Sequence, residues 1–217
     1  MVVIQRKILI DALSAGLKEA SLSLESSIQE KLIDYVEYIH KWNAVHNLTA
    51  VRDPLEMIKR HLLDSLVLFP VLTKGRVLDI GTGAGLPGIP LAISQPDQTF
   101  VLLDSNQKKI NFVQHMILSL KLANVSAIRM RVEGYYPEEK FDWVISRAFS
   151  SLAQFIDLSG RLCKKEGMLV AMKGEIVPAE IAAVPTDYTV EKIEQVEVPG
   201  LEASRSLVFI SHYKTET

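Results

Sequence analysis

Three glycines at two-residue spacing, Gly81, Gly83 and Gly85, follow the run Val77-Leu78-Asp79-Ile80, and a helix-compatible segment follows them. Glycine at such positions lets the backbone take positive φ and removes the Cβ that would keep a ligand away. A strand, a glycine loop and a helix in that order form the entry of a nucleotide-binding α/β domain. A second acid, Asp104, ends the next apolar run, Val101-Leu102-Leu103. It stands about 20 residues beyond the loop, where a carboxylate accepts hydrogen bonds from ribose hydroxyls. A dinucleotide loop requires G-x-G-x-x-G. This chain reads G-x-G-x-G, with Leu86 where the third glycine would fall, which disfavours a nicotinamide-dependent oxidoreductase.

A G-x-G-x-G loop with Asp79 and Asp104 in register resembles the first two motifs of class I S-adenosylmethionine-dependent methyltransferases. The methyl group of that cofactor is already activated, so the acceptor decides what chemistry the protein must add. Methylating a pyrimidine carbon usually takes a cysteine nucleophile. The single cysteine, Cys163, falls in RLCKKEG with no preceding proline, late in an expected helix, and reads as a small buried apolar residue. Methylating the exocyclic amine of adenine typically uses an Asn/Asp-Pro-Pro-aromatic loop after the fourth strand. Here that position reads Ser146-Arg147-Ala148-Phe149. No clustered acids suit a metal-dependent transfer, and the five histidines show no metal-ligand spacing, so no metal is expected. Arg147 is no proton acceptor; a guanidinium suits an anion or a base edge. A ring nitrogen such as guanine N7 attacks through its lone pair and has no proton to lose first. Alignment of the reactants is then the protein's task.

These residues need elements to hold them. Leu9, Leu13 and Leu17 fit one short amphipathic helix, and Ile28, Leu32, Val36, Ile39 and Trp42 a longer one. Asp53-Pro54-Leu55-Glu56 opens a third, which carries His61 and Asp64 on one face. From Arg76 the period changes. Strand-like runs at 76–80, 99–103, 125–129, 141–146 and 167–172 alternate with helix-compatible segments near 87–94, 106–122, 151–164 and 175–183, which predicts a parallel sheet with right-handed crossovers. Two further β-rich runs, 188–197 and 205–211, flank Pro199-Gly200 and predict a closing antiparallel β-hairpin. The expected architecture is α/β and Rossmann-like, with residues 1–72 as a helical extension packed on a cofactor-binding domain at 73–217.

At 217 residues, 48% hydrophobic and 23% charged, the chain suits one α/β domain with an appendage. No apolar run reaches membrane-spanning length, and the first residues carry no signal-peptide layout. With one cysteine and no disulfide framework, a cytoplasmic site is expected. The net charge of −2 gives no global footprint for nucleic acid, so an RNA partner would need a local basic face. Arg52, Lys59, Arg60, Arg129, Arg131, Lys173 and Arg205 are candidates for it; Lys173 and Arg205 lie near an end of the sheet, and these two with Arg131 are the residues expected to bind RNA.

Between residues 28 and 211 the chain closely resembles the bacterial 16S ribosomal RNA guanine-N7 methyltransferases, the small-subunit methyltransferase G family. The resemblance rests on HKWNAVHNLTAVRDPLEMIKRHLLDSL (40–66), DIGTGAGLPGIPLAI (79–93), LLDSNQKKINFV (102–113), RVEGY (131–135), FDWVISRAFSSL (141–152), AMKG (171–174) and SRSLVFI (204–210). It implies transfer of a methyl group from S-adenosyl-L-methionine to guanine N7 in a 16S rRNA loop near the decoding centre, leaving S-adenosyl-L-homocysteine. Carried over by motif, Gly81, Gly83 and Leu86 line the cofactor, Val132-Glu133 flank its adenine, and Arg147 is the cofactor-site arginine. The family often has Phe at the position of Leu86 and Ala at that of Val132; both changes keep an apolar contact. For His61 and Asp64 the reading preferred is a hydrogen-bonded pair fixing the helical segment to the α/β domain, with cofactor or RNA contact as the other. Asn47-Leu48-Thr49 is expected as a turn beside the pocket, or its Asn as a helix C-cap. Two further activities stay open, a small-molecule methyltransferase under a helical lid and a non-catalytic S-adenosylmethionine- or RNA-binding protein.

Overall fold

Short runs of Val, Leu and Ile, buried on both faces, make the centre of one seven-stranded sheet. The computed structural model describes residues 5–212. Its strands are β1 (Arg76–Ile80), β2 (Thr99–Asp104), β3 (Val125–Arg129), β4 (Phe141–Ser146), β5 (Cys163–Lys173), β6 (Tyr188–Val196) and β7 (Arg205–His212). They lie in the order β3-β2-β1-β4-β5-β7-β6. The first five are parallel, and β7 runs antiparallel to both β5 and β6. The chain moves outward from β1 through β2 to β3, then returns to place β4 on the other side of β1. That reversal opens a crevice beyond the carboxyl ends of β1 and β4, where ligands bind in such sheets. Because β7 is antiparallel and Lys173 pairs with Ser206, Arg205 begins its strand at the same edge of the sheet.

Alternation along the strands divides the core. Val77, Phe100 and Leu102 face the layer of α5 (Gly88–Ser94) and α6 (Gln107–Ser119), whereas Leu78, Ile80, Val101 and Leu103 face α7 (Leu152–Ser159). The helical prefix joins the first of these layers. In α1 (Arg6–Glu19) and α2 (Ser26–His46), Leu9, Leu13, Leu17, Leu32, Val36 and Ile39 are buried in the same apolar cluster as Val77 and Phe112. Asp53 caps α3 (Pro54–Met57) by accepting from the Leu55 N–H at 3.0 Å. Glu56 turns away from the cap to Lys59 and Arg60, at 2.8 and 3.1 Å. The chain continues as a π-helical segment, Ile58–Leu63, into α4 (Asp64–Leu66). The wider turn buries His61 and Asp64 together with Leu62, Leu63 and Leu66; such turns occur frequently at functional sites.

One expected element is corrected. The helix foreseen over 151–164 ends at Ser159, passes through a 3-10 turn at Gly160–Leu162, and Cys163 opens β5 instead of lying late in a helix. Cys163 pairs with Phe141 and Met168 with Trp143, so Lys164-Lys165-Glu166-Gly167 bulge from the register. Three charged residues in the bulge hide the beginning of the strand from any reading of hydrophobic period. The C-terminal hairpin forms as expected, and a short helix, α8 (Pro178–Ala182), crosses between β5 and β6. Among the described residues no helix is long and apolar enough to cross a membrane.

Candidate active site

The glycine loop is stitched to β2 from below. Gly81 N–H and Thr82 N–H donate to Leu103 O at 2.8 and 3.1 Å. The Asp104 carboxylate accepts from Gly83 N–H at 2.9 Å and Asn106 N–H at 2.8 Å. Gly81 has φ +70°, and a Cβ there would stand 2.5 Å from Ala148 Cβ, so only glycine allows the loops after β1 and β4 to meet. Asp79 lies beneath, fully buried. Its Oδ2 accepts from Thr82 Oγ1 at 2.6 Å and Gly88 N–H at 2.9 Å, while Oδ1 has no partner among the described residues. Burial pushes this carboxyl up to about 6, against the opposing pull of the Thr82 and Gly88 hydrogen bonds. The helical prefix reaches the same loop: the buried Tyr35 hydroxyl donates to Ala84 O at 2.7 Å.

Two adjoining cavities share Gly81 and Ala148 as a common wall. The larger, of about 520 Å³, is lined by Gly81, Gly83, Leu86, Arg147, Lys173 and Arg205 together with residues of the prefix. The smaller, of about 240 Å³, brings Asp104, Arg131, Val132 and Glu133 against Leu103, Met130 and Leu158. The residues named from the sequence for cofactor binding, and Arg131, Lys173 and Arg205 named for RNA, therefore fall in one of the two. The wider basic set divides. Arg60 lines the larger cavity. Arg52 braces the turn after α2, donating to Asn43 O at 2.8 Å and Asn47 Oδ1 at 2.7 Å. Lys59 pairs with Glu56, and Arg129 ends β3 outside both cavities.

The floor of the larger cavity is an ion cluster. Asp64, only 3% exposed, receives Arg147 Nη1 on Oδ2 and Arg205 Nε on Oδ1, each at 2.6 Å. It thereby ties the helical prefix to the loop after β4 and to β7. His61 is not its partner, which corrects the expected pair: His61 Nε2 lies 3.0 Å from Thr49 Oγ1. Burial, aided by the charge of Arg147, pushes this imidazole down to about 4. Asn47 serves as the left-handed C-cap of α2, and Leu48 and Thr49 line the cavity, so both readings of that tripeptide hold. Counting lining residues, Arg60, Arg147, Lys173 and Arg205 stand against the single carboxylate Asp64. The chain is acidic; this cavity is basic.

The structure also assigns work to residues that sequence reasoning passed over. Arg161 donates from Nη1 to Tyr135 O at 2.8 Å, and from Nη2 to Val132 O at 2.6 Å and Glu133 O at 3.2 Å, holding the wall of the smaller cavity. Ser146 Oγ donates to Ile80 O at 2.7 Å and accepts from Ala148 N–H at 3.0 Å, joining the ends of β1 and β4. Lys173, expected on the local basic face, is paired with Glu180 at 2.7 Å. None of these pairings leaves a local sequence signal. Cys163 is buried and its thiol is pushed up to about 12, chiefly by burial, so it is no nucleophile at neutral pH. Among the described residues no group of three or more His, Cys, Asp or Glu could hold a metal ion.

Comparison with known proteins fits this geometry. A family described as rRNA small subunit methyltransferase G matches residues 28–208. The ribosomal RNA small subunit methyltransferase G of Salmonella schwarzengrund is 46% identical over 95% of this chain and 100% of its own length. That of Salmonella typhi is 45% identical over the same shares. Among solved structures, the N-methyltransferase NodS from Bradyrhizobium japonicum covers 69% of this chain and 93% of its own, with a TM-score of 0.54 and 16% identity. A methyltransferase from Thiobacillus denitrificans, crystallised with S-adenosyl-L-homocysteine, covers 84% and 98%, with a TM-score of 0.51 and 15% identity. These two likenesses concern the fold.

Proposed function

The chain belongs to the rRNA small subunit methyltransferase G family, and from that premise we propose that it methylates N7 of a guanine in 16S rRNA of the small ribosomal subunit, using S-adenosyl-L-methionine. The observation that carries the choice of acceptor is that, among the described residues, no group lining the larger cavity is poised to accept a proton. Asp64 is held between two guanidiniums. His61 is pushed down to about 4, and its Nε2 is engaged by Thr49 Oγ1. An acceptor that must shed a proton before attack would find no base there; a ring nitrogen needs none.

The residues present fit the cofactor. The smaller cavity offers the Asp104 carboxylate for ribose hydroxyls, with Val132 and Glu133 beside an apolar slot suited to adenine. Gly81, Gly83 and Leu86 form the passage toward the larger cavity, and at Gly83 even an added Cβ would find nothing nearer than 3.7 Å. When bound, S-adenosylmethionine supplies an electrophilic methyl group on sulfur. The chain supplies alignment, and Asp64 keeps Arg147 and Arg205 in fixed geometry to meet acceptors on the base or its phosphate. Arg131 and Arg205 are the rim residues proposed to contact RNA. Arg147 and Arg205 share the one carboxylate of Asp64, and the positive charge left over supports a polyanionic substrate over a small neutral one.

The test is methyl transfer from labelled cofactor to small subunits lacking the modification, followed by nucleoside analysis. N7-methylguanosine as the labelled product is expected. Label in another nucleoside would overturn the choice of acceptor, and cofactor binding without transfer would leave a binding protein.

A further inference from the structure

Lys173 stands at the edge of the larger cavity, yet its charge is already engaged. Its Nζ lies 2.7 Å from Glu180 Oε1, with the two side chains only 13% and 12% exposed. The same ammonium donates to Ser150 O at 2.7 Å and Phe149 O at 3.4 Å. The same Glu180 oxygen accepts from Leu152 N–H at 3.0 Å. Phe149 and Ser150 belong to the connection between β4 and α7, and Leu152 opens α7. That connection builds the wall between the cavities: Arg147 lines the larger, Phe149 the smaller and Ala148 both. Glu180, on α8, lines neither.

We propose that Lys173 and Glu180 form a positioning pair that fixes the 147–152 segment, and that Lys173 is not a phosphate contact. The proposal rests on the methyl-transfer reading above. A phosphate could capture this ammonium only by taking it from Glu180, leaving a nearly buried carboxylate without a cation and two loop carbonyls without their donor. The pair acts instead through Arg147 and Ala148. A shift of the wall by a fraction of an ångström misaligns whatever lies between them, and such misplacement lowers the rate of the chemical step.

The experiment compares the wild-type protein with Glu180→Gln, Lys173→Met, the double variant and Lys173→Arg. It measures kcat and KM for unmethylated small subunits across a salt series, with thermal unfolding to report folding. Both single variants are expected to lower kcat about ten-fold with KM little changed, the order of loss that misalignment brings. The double variant should be no worse than either single one, as for groups acting as a unit, and Lys173→Arg should restore most of kcat. The slope of log KM against log salt should match the wild type throughout. A phosphate contact predicts otherwise: Lys173→Met would lower that slope by about one, and Glu180→Gln, by freeing the cation, would leave or raise activity. Either result overturns the proposal, as does unchanged kcat in both folded single variants. Absence of transfer by the wild type would instead sink the functional reading. Amide exchange at Leu152 then decides the pair, faster in both single variants if it holds the segment and unchanged if it does not.

Discussion

Asp64 illustrates how one side chain can organise a site. A carboxylate 4% exposed between two guanidiniums is costly to bury and costlier to remove, because its loss leaves two like charges facing each other. Asp64→Ala is expected to cost about 3 kcal/mol of stability, measured by urea unfolding, and to abolish most methyl transfer. Asp104 carries a different load. Asp104→Ala should weaken S-adenosylmethionine binding by about 1–3 kcal/mol in calorimetry, since both a ribose partner and the brace on Gly83 are lost. His61 and Asp79 oppose each other in acid. The His61 imidazole, lowered from 6.5 to about 4, contributes stability above pH 6.5 that is lost as pH falls toward 4. The Asp79 carboxyl, raised from 3.8 to about 6, contributes stability below pH 3.8 that is lost as pH rises through 6. His61→Gln removes only the first effect, so this variant should gain stability relative to the wild type as pH falls from about 6.5 to 4. Parallel pH profiles of the urea midpoint for the two proteins would contradict the burial of a neutral His61.

Among the elements, α2 acts on the site from outside its cavities, because Tyr35 holds the glycine loop by its Ala84 carbonyl. Tyr35→Phe keeps the buried ring against Phe112 and removes the hydrogen bond alone. It should weaken cofactor binding about three- to ten-fold, the worth of one buried hydrogen bond, with the KM for subunits little changed. Equal affinity in calorimetry would mean that the loop holds its shape without the prefix. The elements were also the most legible level of the sequence. Runs such as Val77-Leu78 and Val101-Leu102-Leu103 are unbroken, so the central strands show plainly, and Asp53-Pro54 marks its helix start by capping chemistry. Cys163 was misplaced because the strand it opens is interrupted at once by a charged bulge. The cavities were legible through Gly81, Asp104 and Arg147, whose types carry chemistry. The ion cluster was not: Asp64 meets Arg147 across 83 residues and Arg205 across 141, separations at which no local pattern exists. Arg161 and Glu180 were invisible for the same reason, since an exposed-looking charge in sequence acquires its partner only when the chain closes.

At the scale of the whole molecule, an acidic chain holds a basic cavity because the prefix, the loop after β4 and β7 converge on one edge of the sheet. The prefix thus contributes Asp64, His61 and Arg60 to a site otherwise built by the α/β part, and it shares that part's apolar core. On the proposed function, such an arrangement would let a protein of net charge −2 meet RNA at this cavity, without the broad attraction that would draw it to any polyanion. The most direct measurement is the map of N7-methylguanosine in 16S rRNA from cells with and without this gene. The account predicts one guanine modified in the first and unmodified in the second, with the modification restored by the wild-type gene and not by Asp64→Ala. An identical N7-methylguanosine map in both cell lines would contradict it.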